Sequence, residues 1–254
     1  MPNGICCLSI VPVRQEPSGK SALVNQLLFG DKVSILEEKG NWLKISSTHD
    51  NYEGWCESSQ IEPAETLTNG IVMLINDITA TFGSEMSKFH LVYGSSVQVT
   101  NNKSLLIDNV NYQLLEGELT FPMGFSGYNV ISTASKLYGV PYLWGGRSPF
   151  GIDCSGLIQI AFKMCGIKVP RDAWQQAEHF KNFIDLIDEA LPGDVAFFDN
   201  EDGQIVHTGI LTGDGRIIHA SGKVKIDLID HIGIFDKKNG SYSHKLRWIK
   251  RYNE

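Results

Sequence analysis

LLFGDKVSIL, residues 27–36, returns sixty-four positions later as LVYGSSVQVT, residues 91–100. An apolar pair, an aromatic, a glycine, two polar residues and a β-branched alternation recur in the same order. A repeated strand–turn–strand unit inside strand-rich sequence constrains the chain to begin with two small β modules in tandem. Around the first copy, short apolar segments at 10–14, 22–28, 32–37, 42–45 and 54–57 are separated by PSGK, FGD, KGN and THDNYEG. Glycine, asparagine, aspartate and proline supply the turn conformations that connect such strands, and the spacing predicts a small β-barrel. The modules are expected over residues 1–64 and 65–126.

The pattern changes near residue 128. GYNVISTASKLYG has helical apolar spacing and stops at Gly139, CSGLIQIAFKMCG is a second helix ending at Gly166, and RDAWQQAEHF marks a third. Strand segments then return at 194–199, 205–212, 216–220, 224–228 and 246–251. Helices followed by an antiparallel strand series predict an α+β domain over residues 127–254. A formal charge of -7 argues against nucleic acid or an anionic membrane surface as the main partner and favours a neutral or cationic small ligand. No apolar run approaches membrane-spanning length. Five cysteines without CxxC or Cys/His spacing indicate free, mostly buried thiols rather than a disulfide framework or a zinc site, and no metal or cofactor is expected. The N-terminus lacks the basic leader and long apolar core of a signal peptide. A cytoplasmic location is therefore expected for the sequence as written, or a periplasmic or extracellular one if a leader has been removed.

The stretch YLWGGRSPFGIDCSG, Tyr142 to Gly156, places a lone cysteine where the second helix begins. Asp153 is a candidate N-cap, so Cys154 sits in the first turn, where unpaired N–H groups and the helix dipole favour an anion. A thiolate there is expected to have a lowered pKa. The glycines at 145 and 146 allow close backbone approach. A thiol nucleophile needs a base, itself oriented by a third polar group. His207 in QIVHTGIL and His219 in RIIHAS flank the turn TGDG, which predicts an antiparallel hairpin with both imidazoles on one face. Taken singly, each feature has an ordinary reading as core or surface, because buried cysteines are common and strand histidines are seldom catalysts. The other histidines and cysteines receive that reading. KKNGSYSHK, residues 237–245, reads as a solvated turn.

Together, YLWGG with GIDCSGL, LPGDVAFF, VHTGIL and IIHAS resemble the NlpC/P60 family of cell-wall cysteine peptidases, in family order across the last half of the chain. The resemblance implies a papain-like α+β catalytic domain with Cys154 as nucleophile, His207 as base and His219 as its orienter. Residues 13–45 with YEGW are similar to a bacterial SH3 domain, and the echo at 91–100 implies a second, divergent copy. The implied architecture is two SH3-like β-barrels before the catalytic domain. This layout resembles γ-D-glutamyl-L-diamino-acid endopeptidases that recycle murein peptides. It implies a murein peptide with a free N-terminal L-Ala as substrate, acted on by a monomer. Tyr142 is then the expected oxyanion donor and Trp144 a wall of the groove. Asp153, Ser155, Glu16 and Tyr52 are the expected neighbours of the substrate amine, since a cation removed from water needs acidic and aromatic partners. The competing expectations are a hydrolase of polymeric peptidoglycan at the envelope and a noncatalytic SH3-type wall-binding protein.

Overall fold

A computed structural model of the chain describes residues 3–67, 70–100 and 102–253. It falls into two compact units, one running to Pro122 and including Trp144–Pro149, the other comprising Met123–Leu143 and everything from Phe150 on. The first unit holds two antiparallel sheets of seven strands each. One is built from β1 (Asn3–Ile5), β2 (Ile10–Arg14), β3 (Leu23–Leu28), β4 (Lys32–Lys39), β5 (Trp42–Ser47), β6 (Glu53–Glu57) and β7 (Glu62–Pro63), in the order β3-β2-β6-β5-β4-β1-β7. The other is built from β8 (Ile71–Ile75), β9 (Thr79–Gly83), β10 (Lys88–Val92), β11 (Ser96–Val99), β12 (Ser104–Ile107), β13 (Val110–Glu116) and β14 (Leu119–Thr120), in the order β10-β9-β13-β12-β11-β8-β14. Adding seven to each strand number of the first order gives the second, so the sequence echo marks a repeated topology.

The echo itself is the turn from β3 to β4 and from β10 to β11. Gly30 and Gly94 both have φ of +81, and the following amides, of Asp31 and Ser95, both bond back to the carbonyl three residues earlier, at 3.0 Å. The aromatic before each glycine, Phe29 or Tyr93, is fully buried. Phe29 and Ile5 join the core of the second sheet with Phe82, Leu91 and Leu105. Ser96 N–H donates to the Phe29 carbonyl at 2.9 Å, locking the two sheets at the repeated turn.

The second unit contains α1 (Gly127–Ser135), the short strand β16 (Gly151–Ile152), α2 (Cys154–Met164) and α3 (Ala173–His179), while β15 (Arg147–Ser148) belongs to the first unit. There follow β17 (Asn182–Ile184), β18 (Val195–Asp199), β19 (Ile205–Leu211), β20 (Arg216–Ser221), β21 (Lys223–Ile229), β22 (Gly233–Asp236) and β23 (Ser241–Arg251). The sheet order β17-β23-β18-β19-β20-β21-β22, with β22 also pairing β23, closes β18 to β23 into a six-stranded barrel. Ala196, Phe198, Leu211, Ile217, Ile229, Ile234 and Ile249 form a core cluster of this barrel. Arg251 ties β23 to the start of β18 by two 2.8 Å bonds to the Asp194 carboxylate. Residues 241–245, read from sequence as solvated turn, are instead the first half of the eleven-residue β23. Their side chains are polar and mostly exposed, so main-chain pairing with β22 and β18 decides the strand there rather than an apolar face.

A Cβ at Gly30 lies 2.0 Å from the Ser96 carbonyl oxygen, on top of a positive φ. Gly30→Ala is therefore expected to lower stability by more than about 1 kcal/mol. An unchanged urea midpoint in that variant contradicts the interlock at Gly30.

Candidate active site

Every residue of α2 is buried, which makes it the central helix of its unit. It packs on β19, β20 and α1. Its first turn is held by Asp153, the N-cap, whose Oδ1 accepts from Gly156 N–H at 2.7 Å and from the Ser155 hydroxyl at 3.2 Å. Arg171, itself fully buried, grips the same carboxylate in a bidentate pair, Nη1 to Oδ1 at 3.0 Å and Nη2 to Oδ2 at 2.6 Å, and also donates to Ser155 Oγ at 2.7 Å. Gln176 of α3 donates to the Ser155 carbonyl at 2.9 Å. The turn that carries the thiol is thus fixed from three directions. The amides of Thr208 and Ser155 reach the Cys154 sulfur, which places it against β19 at the residue that follows His207 in the chain.

On the barrel, Gly209 pairs with His219, and His219 with Lys225. Opposed residues share a face, so His207, two before Gly209, and Asp227, two after Lys225, are diagonal neighbours of His219 on that face. His207 Nε2 meets His219 Nδ1 at 2.9 Å, and His219 Nε2 meets Asp227 Oδ2 at 3.0 Å. A Cβ at Gly209 lies 2.9 Å from the His219 Cβ and 2.7 Å from the Ile217 side chain, so the glycine makes room for the rings to meet. His244 stacks on the His207 ring with centroids 4.0 Å apart, and Phe198 packs against both.

Burial dominates the electrostatics. Desolvation, reinforced by the neighbouring Asp153 carboxylate, pushes the Cys154 thiol up to about 12 against the helping amides of Thr208 and Ser155 and the charge of Arg171. The lowered value expected from the helix start is therefore corrected. An exposed helix terminus favours an anion by about 1 kcal/mol or less, which is smaller than the cost of stripping water from a thiolate. Burial, with the nearby imidazoles of His244 and His219, lowers His207 well below 6.5. His219 is lowered by burial to about 4, opposed by its bond to Asp227. Tyr142 is raised by burial, then by Cys154 and Asp153, to about 12 and remains a neutral phenol. The Cys154 thiol and the His207 imidazole are thus both neutral at rest.

Tyr142, Asp153, Cys154, Ser155, His207 and His219 all belong to the second unit, with the Tyr142 amide bonded to the Gly222 carbonyl at 3.0 Å. Trp144, Glu16 and Tyr52 belong to the first unit, where Trp144 is 66% exposed. Gly145 makes its close approach to the Leu23 backbone, where a Cβ lies 2.7 Å from the carbonyl oxygen. In that same segment the Arg147 amide donates to Gln26 Oε1 at 2.8 Å and its Nη1 to the Gln26 carbonyl at 3.0 Å. Sequence reasoning missed Arg171, Asp227 and His244. Nothing local marks Arg171. Lys225 and Asp227, charged at i and i+2 on a strand, were the available signal for the carboxylate.

A buried cysteine opening the central helix, packed on a closed antiparallel barrel, defines the papain-like α+β class. Residues 139–245 match the NlpC/P60 family and residues 10–62 match the bacterial SH3 domain, so the chain carries an NlpC/P60 domain preceded by a bacterial SH3 domain. It is 29% identical over 217 residues to the γ-D-glutamyl-L-lysine dipeptidyl-peptidase of Bacillus subtilis strain 168, covering 79% of this chain and 73% of that one. It is 27% identical over 258 residues to dipeptidyl-peptidase 6 of Lysinibacillus sphaericus, covering 90% and 92%. The crystal structure of an NlpC/P60 family protein from Bacillus cereus ATCC 10987 shares the fold with a TM-score of 0.84 at 21% identity, over 98% of this chain and 99% of that one.

Two outcomes follow from this geometry. Arg171→Met leaves the Asp153 carboxylate buried without its countercharge and is expected to cost about 3–5 kcal/mol in urea unfolding; a loss below about 1 kcal/mol refutes that role. Because the thiol is raised and His207 lowered, iodoacetamide alkylation of Cys154, followed by mass spectrometry of its peptide, is expected to keep rising with pH from neutral into the alkaline range. A plateau below neutrality marks a preformed thiolate–imidazolium pair and contradicts the neutral resting site.

Proposed function

We propose that this chain is a cysteine endopeptidase that hydrolyses the amide between the γ-carboxyl of D-glutamate and the diamino acid of murein peptides with a free N-terminal L-Ala. The observation that carries the reading is the Cys154 thiol at the capped start of α2, reached by the amide of Thr208 on β19, the strand that also bears His207, whose Nε2 is held by His219. The name of the Bacillus subtilis relative, a γ-D-glutamyl-L-lysine dipeptidyl-peptidase, supports the γ-D-glutamyl bond as the target.

With His207 Nε2 bonded to His219, Nδ1 is the nitrogen left for the thiol proton. In the proposed cycle that proton passes to Nδ1 as sulfur attacks the γ-carbonyl, giving a tetrahedral oxyanion. Backbone N–H groups at the start of α2 and the Tyr142 hydroxyl stabilise the oxyanion, each such donor being worth about 2.7–4 kcal/mol of barrier. Collapse breaks the C–N bond while His207 Nδ1–H protonates the leaving amine. Water, deprotonated by His207, then cleaves the thioester and regenerates the thiol. A neutral base suits this sequence: His207 loses competence only as pH falls through a value well below 6.5.

The preference for a free amine is assigned to Asp153 and Ser155. Glu16 and Tyr52 of the first SH3-like domain, and Trp144, enter the proposal from the family resemblance. Asp153 is already paired with Arg171, so its contribution to an amine is that of a carboxylate within a neutral pair.

The test is cleavage of L-Ala-γ-D-Glu-diaminopimelate against its N-acetylated analogue and intact peptidoglycan, with Cys154→Ala alongside. The free peptide is expected to be cleaved and the blocked one not, with activity falling by about 10⁴-fold or more in the alanine variant. Equal cleavage of both peptides overturns the free-amine preference, cleavage of peptidoglycan alone favours an envelope hydrolase, and full activity in Cys154→Ala removes the mechanism.

A further inference from the structure

The line of polar contacts does not end at His219. It runs on through His219 Nε2 to Asp227 Oδ2 at 3.0 Å, and Lys225 Nζ bonds the same oxygen at 2.9 Å. We propose that Asp227 is a positioning residue that sets the tautomer of both histidines and thereby makes the His207 nitrogen facing the thiol a proton acceptor. The inference rests on the reading of His207 as the base for Cys154.

A neutral imidazole has one N–H donor and one acceptor nitrogen, so a contact between two rings can run in either direction. The 2.9 Å contact between His207 and His219 does not by itself choose between them. A carboxylate only accepts, and that breaks the tie. Facing Asp227, His219 must carry its proton on Nε2, leaving Nδ1 as acceptor. His207 must then donate from Nε2, leaving its own Nδ1 free to accept the thiol proton. With the direction reversed, His219 Nδ1–H points at His207 Nε2 and the His207 proton moves to Nδ1, where it blocks the transfer. One carboxylate two rings away decides whether the base is a base.

The surroundings support ionised Asp227 in this role. Its side chain is 23% exposed, and although burial pushes its carboxyl up, the bonds from Lys225 and His219 outweigh that and hold it below its ordinary value. His219 is wholly buried, so the carboxylate is the partner that its Nε2 meets directly. Stacking by His244 on the His207 ring restricts its tilt while the proton is passed. When His207 is transiently imidazolium, both its N–H groups point outward along the same line, and no ring needs to turn.

The test uses the full chain with 15N-labelled histidine. In the parent protein the nitrogen shifts of His207 and His219 are expected to report Nε2–H for both. Asp227→Ala is expected to populate the Nδ1–H forms, to lower kcat and the rate of Cys154 alkylation by about 10–100-fold, and to leave KM unchanged. Asp227→Asn keeps the shape and one acceptor oxygen, which Lys225 favours at the position facing His219, so it is expected to keep much of the parent tautomer. Asp227→Glu, which restores an acceptor, is expected to recover part of the rate. Parent tautomers in the folded Ala variant, or alkylation there within twofold of the parent protein, overturn the proposal. Tautomer and alkylation need no peptide, so a mistaken substrate assignment shows itself as normal nitrogen shifts with no murein cleavage.

Discussion

The grip of Arg171 on Asp153 is the contact on which the catalytic unit depends. One buried carboxylate caps α2 through Gly156, accepts from Ser155 and sits beside the thiol. Buried without a countercharge it carries a penalty of several kcal/mol, and the two guanidinium bonds offset that penalty locally. Because Arg171 also donates to Ser155, the residues on either side of Cys154 are held by one planar group. The sulfur is positioned by a short, saturated network rather than by packing alone.

The same burial sets the chemistry. A thiol pushed up to about 12 and an imidazole lowered well below 6.5 are both neutral at rest. Charge separation between them therefore has to be created rather than being present beforehand. A neutral pair also gives the tautomer a weight it lacks in a standing ion pair, since an imidazolium donates from both nitrogens and has no direction to choose.

In the first unit the repeated turn does double duty. Positive-φ glycines at 30 and 94 shape the same turn in both sheets, and the turn at Gly30 is also where the second sheet docks, through Phe29 and the Ser96 amide. The sequence likeness is short because only these positions carry the demand. The rest of each sheet needs no more than alternating apolar residues, which many sequences satisfy.

The local sequence by itself determined the α+β class, the tandem β modules, the start of α2 at Cys154 and the pairing of the strands that bear His207 and His219. These rest on short-range physics: turn residues, N-caps, periodicity and a four-residue hairpin connection. Asp153 as N-cap was readable for the same reason. Only the tertiary structure brought in Arg171, Asp227 and His244. Arg171 comes from the segment before α3 and His244 from β23, which closure of the barrel pairs with β18, whereas Asp227 lies one hairpin beyond His219 across the turn at Gly222 and owes its place to the register of that hairpin. Polar residues 241–245 carry no apolar period, so their strand exists only because β22 and β18 offer main-chain partners. The sign of the Cys154 shift belongs with these, because a helix start is local whereas loss of water is a property of everything packed around it.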